Sequence, residues 1–328
     1  MKTDEFSVDR FDRGSREALW IDAFRLPGGE IYRFPVFVVR GQEDGKRLLT
    51  CAGVHGDEYE GMEAIRNVYA KLDPGKMSGM WVGVPVVNMT AFAVSNRTNY
   101  YDNEDLARVF PGSSRGTLTE QIGHHFVETF MNDIDLFCDL HSAGGKNKLK
   151  RFAGYALNDD PILTIQREAA IAFGLDLVRG SSVGQGFSLS VARSKGIPAV
   201  YVEMPGGGLC RHEDVKADEH GTMNLMRYLG IIEGDYPKSP PRYFVETPED
   251  PPASRIISRP GFLRLHVGVW QLLQKGDLVA EVIDPLGEVL ETIDAPLTGR
   301  ILLLRSRPSV LPGDMVCELF PETSAPRD

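Results

Sequence analysis

The chain has 328 residues, 42% of them hydrophobic and 25% charged, with a formal net charge of −10. That acidic balance argues against nucleic acid as the main partner, because phosphate binding relies on clustered Lys and Arg. No apolar run approaches the about 18 residues of a membrane span, and MKTDEFSVDRFDRGSRE is too polar for a secretory signal, so the expected setting is cytoplasmic with no membrane partner.

Taken in order, apolar strand-like runs at 36–39, 48–54, 81–87, 134–140 and 199–203 alternate with segments of helical period. Such alternation calls for a mixed, largely buried sheet with helices on both faces. RLLTCAG reads as a buried strand entering a Gly-rich turn, and EGMEAIRNVYAKL continues as a helix through Met62, Ile65, Val68 and Leu72. His55 and Glu58 fall in the turn between them, where the carboxyl end of a strand in an open α/β sheet binds ligands. Residues three apart share one side of a helical turn, so the two side chains can meet at one ion. His141 follows the next strand in LFCDLHSAGG. Two His and a carboxylate are the protein ligands of a catalytic zinc, which keeps its fourth position for a water and acidifies it. The expectation is therefore one Zn2+ per chain on His55, Glu58 and His141, and hydrolysis as the chemistry. Asp139, on the same strand face as His141, reads either as the acceptor that fixes the imidazole tautomer or as a solvated strand end.

His124 and His125 sit beside the stripe Leu118, Ile122, Phe126 and Phe130, as boundary residues of a helix. In KNKLKR, four cations follow His141, either as a solvated loop or, at Lys146, as an attraction for an anionic substrate. His212 and His220 lie in RHEDVKADEH, a polar stretch before the helical run MNLMRYLGII. Cys51 and Cys138 lie in apolar runs and the four cysteines are far apart, so reduced core thiols are expected. Near residue 237 the character changes: KSPPRYFVETPEDPPAS ends the α/β pattern as a linker, and short strands punctuated by Gly and Pro follow. The expected division is 1–237 for the zinc-binding α/β domain and 238–328 for linker and β domain. The turns at Gly276-Asp277 and Gly313-Asp314 resemble those of the barrel-sandwich fold of biotinyl and lipoyl domains. Their modified Lys has no counterpart in GEVLETIDAP, so this module is expected to roof the pocket or mediate subunit contact in a homo-oligomer.

GVHGDEYEG, RTNYYDNEDLARVFPG, DLHS and YVEMPGG stand in the order found in the succinylglutamate desuccinylase/aspartoacylase family, relatives of the zinc carboxypeptidases. The chain resembles that family over roughly residues 45 to 210. In layout it is nearest to the bacterial members similar to N-acetyl-diaminobutyrate deacetylase. The resemblance implies a zinc-carboxypeptidase-like sheet, a zinc on His55, Glu58 and His141, and Glu203 as general base. Glu203 also makes sense by itself, as a carboxylate that ends the apolar strand IPAVYVEM and can shuttle a proton. The resemblance further implies that Arg97 polarises the scissile carbonyl and that Arg108 grips a substrate carboxylate, tasks that suit a permanent charge on a planar fork of donors. One position departs from the pattern: the family's Asn before this second arginine is Ala107 here, which removes a donor for that carboxylate.

The expected activity is hydrolysis of the amide in a small N-acylated amino acid or related compound. A carboxypeptidase-like peptidase or esterase would use the same centre, and a non-catalytic zinc-containing assembly protein is the alternative of another class.

Overall fold

Nine strands build one mixed sheet that carries the first three quarters of the chain, in a computed structural model describing residues 1–157, 160–247 and 253–321. They are β1 (Ser15–Arg25), β2 (Ile31–Arg40), β3 (Glu43–Ala52), β4 (Ser78–Val84), β5 (Leu136–Ser142), β7 (Phe152–Ala156), β8 (Leu177–Ser181), β9 (Ala199–Met204) and β10 (Tyr243–Thr247). A short strand, β6 (Asn147–Leu149), lies outside this sheet. The order across the sheet is β1-β2-β4-β3-β5-β9-β7-β8-β10. β4, β3, β5 and β9 are parallel, while β2 joins β4 and β7 joins β9 antiparallel. The central strands are the apolar runs read from the sequence, and they are buried on both faces. Leu48 and Leu49, which point to opposite faces, are both fully buried, as are Phe137 and Cys138.

Helices cover each face. α1 (Glu60–Lys71), α4 (Leu163–Phe173) and α6 (His212–Tyr228) pack Met62, Ile65, Phe173 and Leu225 against Leu48, Cys138 and Val200. On the other face α3 (Leu118–Phe130) and α5 (Ser188–Ser194) set Phe126, Phe130 and Leu189 against Leu49, Phe137 and Ala199. A short helix, α2 (Met89–Phe92), follows β4. Thr117 and Glu120 close a capping box on α3, and His124 and His125 lie half-buried at its edge. α6 begins at His212, so the polar stretch RHEDVKADEH belongs to the helix rather than preceding it. Its inner face carries Asp214, Asp218 and Glu219, which hid the helical period from a hydrophobicity reading.

Residue 237 does not mark the edge of the sheet. β10, beyond the expected division, pairs parallel with β8 and becomes the ninth strand. A Pro-rich approach is compatible with that position, because an edge strand needs partners on one side only. The remaining strands are β11 (Ala253–Ile256), β12 (Gly261–Leu265), β13 (Leu272–Leu273), β14 (Leu278–Ile283), β15 (Val289–Asp294), β16 (Gly299–Arg305), β17 (Ser309–Val310) and β18 (Met315–Pro321). They form two antiparallel sheets, β11-β18-β16-β13 and β15-β14-β12-β17, around a separate core of Val279, Val282, Ile301, Val316 and Leu319. This is the expected β module.

The two units share a ladder. β6 lies inside KNKLKR and pairs antiparallel with β16, Leu149 opposite Leu303 and Asn147 opposite Arg305. The basic run is thus partly a strand, not only a solvated loop: Leu149 turns inward while Lys148 stays exposed. Cys51, Cys138 and Cys317 are buried free thiols, and Cys210 is exposed. Among the described residues no helix is long and apolar enough to cross a membrane.

Candidate metal centre and substrate cavity

β3 ends at Ala52, and a tight turn brings the chain round to α1. Gly56 is needed in that turn, because a Cβ there would lie 2.1 Å from the Ala91 carbonyl carbon. Its N–H donates to Asn96 O at 2.9 Å, which fixes the loop that carries Arg97. His55 and Glu58 project from this turn, before the helix starts, and meet His141 from the end of β5. One ligand atom from each of the three falls within 4.8 Å of the others. His55 Nδ1 is 2.8 Å from Glu58 Oε1, His141 Nδ1 is 2.9 Å from Glu58 Oε2, and the two Nδ1 atoms are 3.3 Å apart. Ser142 N also donates to Glu58 Oε2 at 3.1 Å.

The outward nitrogens decide what fits between these groups. His55 Nε2 lies 3.1 Å from Asp105 Oδ1, and His141 Nε2 lies 3.2 Å from Asp139 Oδ2. With Nε2–H donated to a carboxylate, each ring presents a lone pair at Nδ1. Two imidazole lone pairs and a carboxylate then converge on one point, which suits a metal ion, and the carboxylate behind each ring is the arrangement that orients metal-binding histidines. Asp139 is buried and also accepts from Ser188 Oγ and Cys51 Sγ, so it is a positioning group and not a solvated strand end. Asp57, in the same turn, instead accepts from Gly145 N at 2.8 Å.

Electrostatics follow from these contacts. Burial alone would raise Glu58, but His55 and His141 hold it well below the ordinary carboxylate range. Asp105 is likewise low: His55, Arg97 and Arg108 outweigh its burial. Burial opposes a charged His141 ring, yet Asp139 and Glu58 prevail and its pKa is raised well above the usual value. Glu203 goes the other way. Burial pushes it up to about 8, with Glu58 adding to the shift and His141 and Arg97 opposing it.

Glu203 stands directly opposite His141 in the β5/β9 ladder, so the two side chains share a sheet face. Arg97 Nε donates to Asp105 Oδ2 at 3.0 Å, and its Nη1 is 3.7 Å from Glu58 Oε1. Asp105 caps the short 3-10 turn Leu106–Arg108 by accepting from Ala107 N at 3.0 Å. One carboxylate therefore touches the His55 ring, Arg97 and the turn that carries Arg108. The Arg108 guanidinium stacks over Phe187 at 4.4 Å and donates to Ala107 O at 3.1 Å. His55, His141, Arg97, Arg108, Ala107 and Glu203 all line a cavity of about 340 Å3.

Lys146 is not brought there. Its side chain is exposed, its carbonyl accepts from Ser306 N at 2.9 Å, and it is absent from the cavity wall. Asp105 and Arg179 line or support the site without having been singled out from the sequence. Asp105 lies in RTNYYDNEDLARVFPG, the same motif as Arg108, whereas Arg179, in LVRGS, gives no signal of its own.

An α/β sheet with this turn at its strand ends and a β module behind it is the architecture of known structures. The ectoine utilization protein EutE of Ruegeria pomeroyi, in a product-bound structure, aligns with a TM-score of 0.86 at 24% identity, over 94% of this chain and 96% of that one. A succinylglutamate desuccinylase/aspartoacylase of Rhodobacter sphaeroides aligns with a TM-score of 0.86 at 24% identity, over 98% and 99%. In sequence, the chain is 31% identical over 257 residues to the N-alpha-acetyl-L-2,4-diaminobutyric acid deacetylase of Halomonas elongata, covering 76% of this chain and 74% of that protein. The model of the succinylglutamate desuccinylase/aspartoacylase catalytic domain matches residues 44–229. The chain belongs to the succinylglutamate desuccinylase/aspartoacylase family.

Proposed function

We propose that the protein is a zinc-dependent deacylase that hydrolyses the amide bond of a small N-acylated amino acid or related compound. The observation that carries this reading is the meeting of a His/Glu/His ligand set with a buried carboxylate, Glu203, on the neighbouring strand. Family membership and the 31% identity to a deacetylase agree with it.

His55, Glu58 and His141 would hold the zinc, which when bound supplies an acidified water and a Lewis acid beside the scissile carbonyl. Glu203, opposite His141, takes the proton of the attacking water and returns it to the departing amine. A carboxylate whose pKa burial has raised is a stronger base than one in water, and that suits it to both halves of the transfer. Arg97, held by Asp105 and Glu58, presents its remaining donors to the oxygen that gains charge in the transition state. Arg108, flat against Phe187, takes a carboxylate of the substrate. Phe187, Ser188 and Leu189, at the start of α5, wall one side of the cavity, which is large enough for a compound of metabolite size.

The test is a steady-state assay of the zinc-loaded protein on N-acyl amino acids, peptides and esters. Turnover of N-acyl amino acids above the other classes is the expected result. Preference for peptides or esters would reassign the site, and no turnover of any class would leave a zinc-containing binding protein.

A further inference from the structure

Helix α5 begins against the usual preference. Its N-cap is Phe187, which makes no side-chain capping bond, and the first helical residue is Ser188, a residue type favoured one place earlier. Neither side chain serves the helix end. The Phe187 ring lies against the Arg108 guanidinium at 4.4 Å, and the Ser188 hydroxyl, on a side chain that is buried, donates to Asp139 Oδ2. Two adjacent residues thus face two different parts of the site.

Both contacts are fixed by their surroundings. Gly186 O accepts from Phe110 N at 3.0 Å, and a Cβ on Gly186, whose φ is +88°, would lie 2.2 Å from Arg108 O. The backbone before Phe187 therefore lies directly against the turn that carries Arg108. At the other end Asp139 is buried, and its Oδ2 also faces His141 Nε2 at 3.2 Å. Its second oxygen accepts from Cys51 Sγ at 3.2 Å, and Cys51 stands opposite Asp139 in the β3/β5 ladder. Asp139 is thus held from two sides, by Cys51 within the sheet and by Ser188 from the segment that lies against Arg108. Only the second reaches the Arg108 end of the cavity.

We propose that Ser188 is a positioning residue that links the two ends of the site: the segment that backs Arg108 also sets, through Asp139, the orientation of the His141 ring. This rests on the deacylase reading above, in which His141 holds the zinc and Arg108 a carboxylate of the substrate. A ligand ring that loses part of its outer carboxylate contact binds metal less well. A guanidinium that loses the aromatic face it lies on is less well aimed. Because Ser188 joins the two, a change at one end is felt at the other.

The experiment compares wild type, Ser188→Ala, Ser188→Thr and Cys51→Ala in two readouts. One is zinc affinity, by competition with a chelator; the other is the kcat/KM ratio of N-acetylalanine to N-acetylalaninamide for the zinc-loaded proteins, which reports the hold on the carboxylate. The wild type should favour the acid by about tenfold or more. Ser188→Ala should lower zinc affinity by about tenfold and the ratio by about threefold, the latter mainly through KM, and Ser188→Thr, which keeps the hydroxyl, should recover most of both losses. Cys51→Ala should lower zinc affinity and leave the ratio unmoved. That difference separates the link from mere support of Asp139. If neither Ser188→Ala nor Cys51→Ala moves the ratio, or both move it alike, Ser188 acts on the metal ligand alone and the link is overturned. Unchanged zinc affinity in Ser188→Ala also overturns it, as does a wild type that treats acid and amide equally. If Ser188→Ala does not fold, Phe187→Leu decides: the link requires that loosening the Arg108 end lower zinc affinity, and wild-type affinity in that variant removes it. If the wild type turns over neither compound, calorimetric titration of the zinc-loaded proteins with propionate against propionamide replaces the kinetic ratio, with the same outcomes, and the deacylase reading is judged separately on its own panel of substrates.

Discussion

Glu58 and Asp218 are both buried carboxylates close to the same strand ends, on opposite sides of the sheet. Glu58 faces His55 and His141, with Arg97 behind them, and is held low. Asp218 sits on the inner face of α6, where neither of its oxygens has a hydrogen-bond partner among the described residues, and burial pushes it well above the ordinary carboxylate range. Glu60 and Asp214 add to that shift, with Arg151 opposing it. Two other acids of the seam are answered, Asp214 by Arg211 at 3.3 Å and Arg151 at 3.5 Å, and Glu219 by Lys71, whereas Glu60, like Asp218, is pushed up by burial. The partner, not the depth, decides whether a buried acid keeps its charge. Beside His55 and His141, positive partners keep Glu58 and Asp105 low, whereas burial pushes up Glu203 and, on the α1/α6 side, Asp218 and Glu60.

The most severe way to break this contrast is to strip Glu58 of a partner. Purified protein should hold about one zinc per chain and His55→Ala should lose it, with activity, by elemental analysis. Full occupancy in the variant would remove His55 from the ligand set. Next in size is Glu203→Gln, which should keep the zinc and the fold but lose about a hundredfold or more in turnover. A variant that retains wild-type turnover would move the base elsewhere. Asp105→Asn tests a carboxylate that holds a ligand ring and not the ion itself. Zinc affinity, read by competition with a chelator, should fall about 10- to 100-fold, with a matching loss in kcat. Unchanged affinity with a reduced kcat would confine Asp105 to holding Arg97.

The smallest effect is expected at Asp218. Because the pKa of Asp218 is higher in the folded state than its unfolded value near 4, the stability tied to its neutral form is complete below about pH 4 and is lost as pH rises through the folded pKa. Asp218→Asn cannot ionise and should escape that loss. The variant should be more stable than wild type at pH 8 by about 1 to 3 kcal/mol, and by less at pH 4.5. Thermal melts at the two pH values measure this, and an equal gap at both would mean that Asp218 keeps its charge.

The same contrast explains what was legible in the sequence. β3, β5 and β9 announce themselves because strands buried on both faces must be continuous apolar runs, and the cluster of His55, Glu58 and His141 was readable because its members stand at the ends of those runs. β1 is a half-exposed edge strand, and β7 and β8 are short and contain Gly154 and Gly180, so neither period nor composition marks them. The first turns of α6 were hidden by the acids they bury. Asp105 could have been suspected from its motif, but Arg179 acquires its place only through the β7/β8 register, which no local pattern encodes. KNKLKR was read by its charge, whereas the alternation of Lys148 and Leu149 that makes it a strand is only three residues long.

The direct pairing of His141 with Glu203 has a consequence for changes in chain length. The ladder sets the alignment of the two side chains, by counting residues from Phe137 opposite Ala199. Deleting one residue within 199–202 would reverse the facing of everything after it and turn Glu203 toward the α1/α6 seam, among acids that already crowd there. Insertions in the loop after β9 leave that count untouched. Variants built by recombination with relatives should therefore survive crossovers after Met204 and fail where a crossover alters the length of β5 or β9.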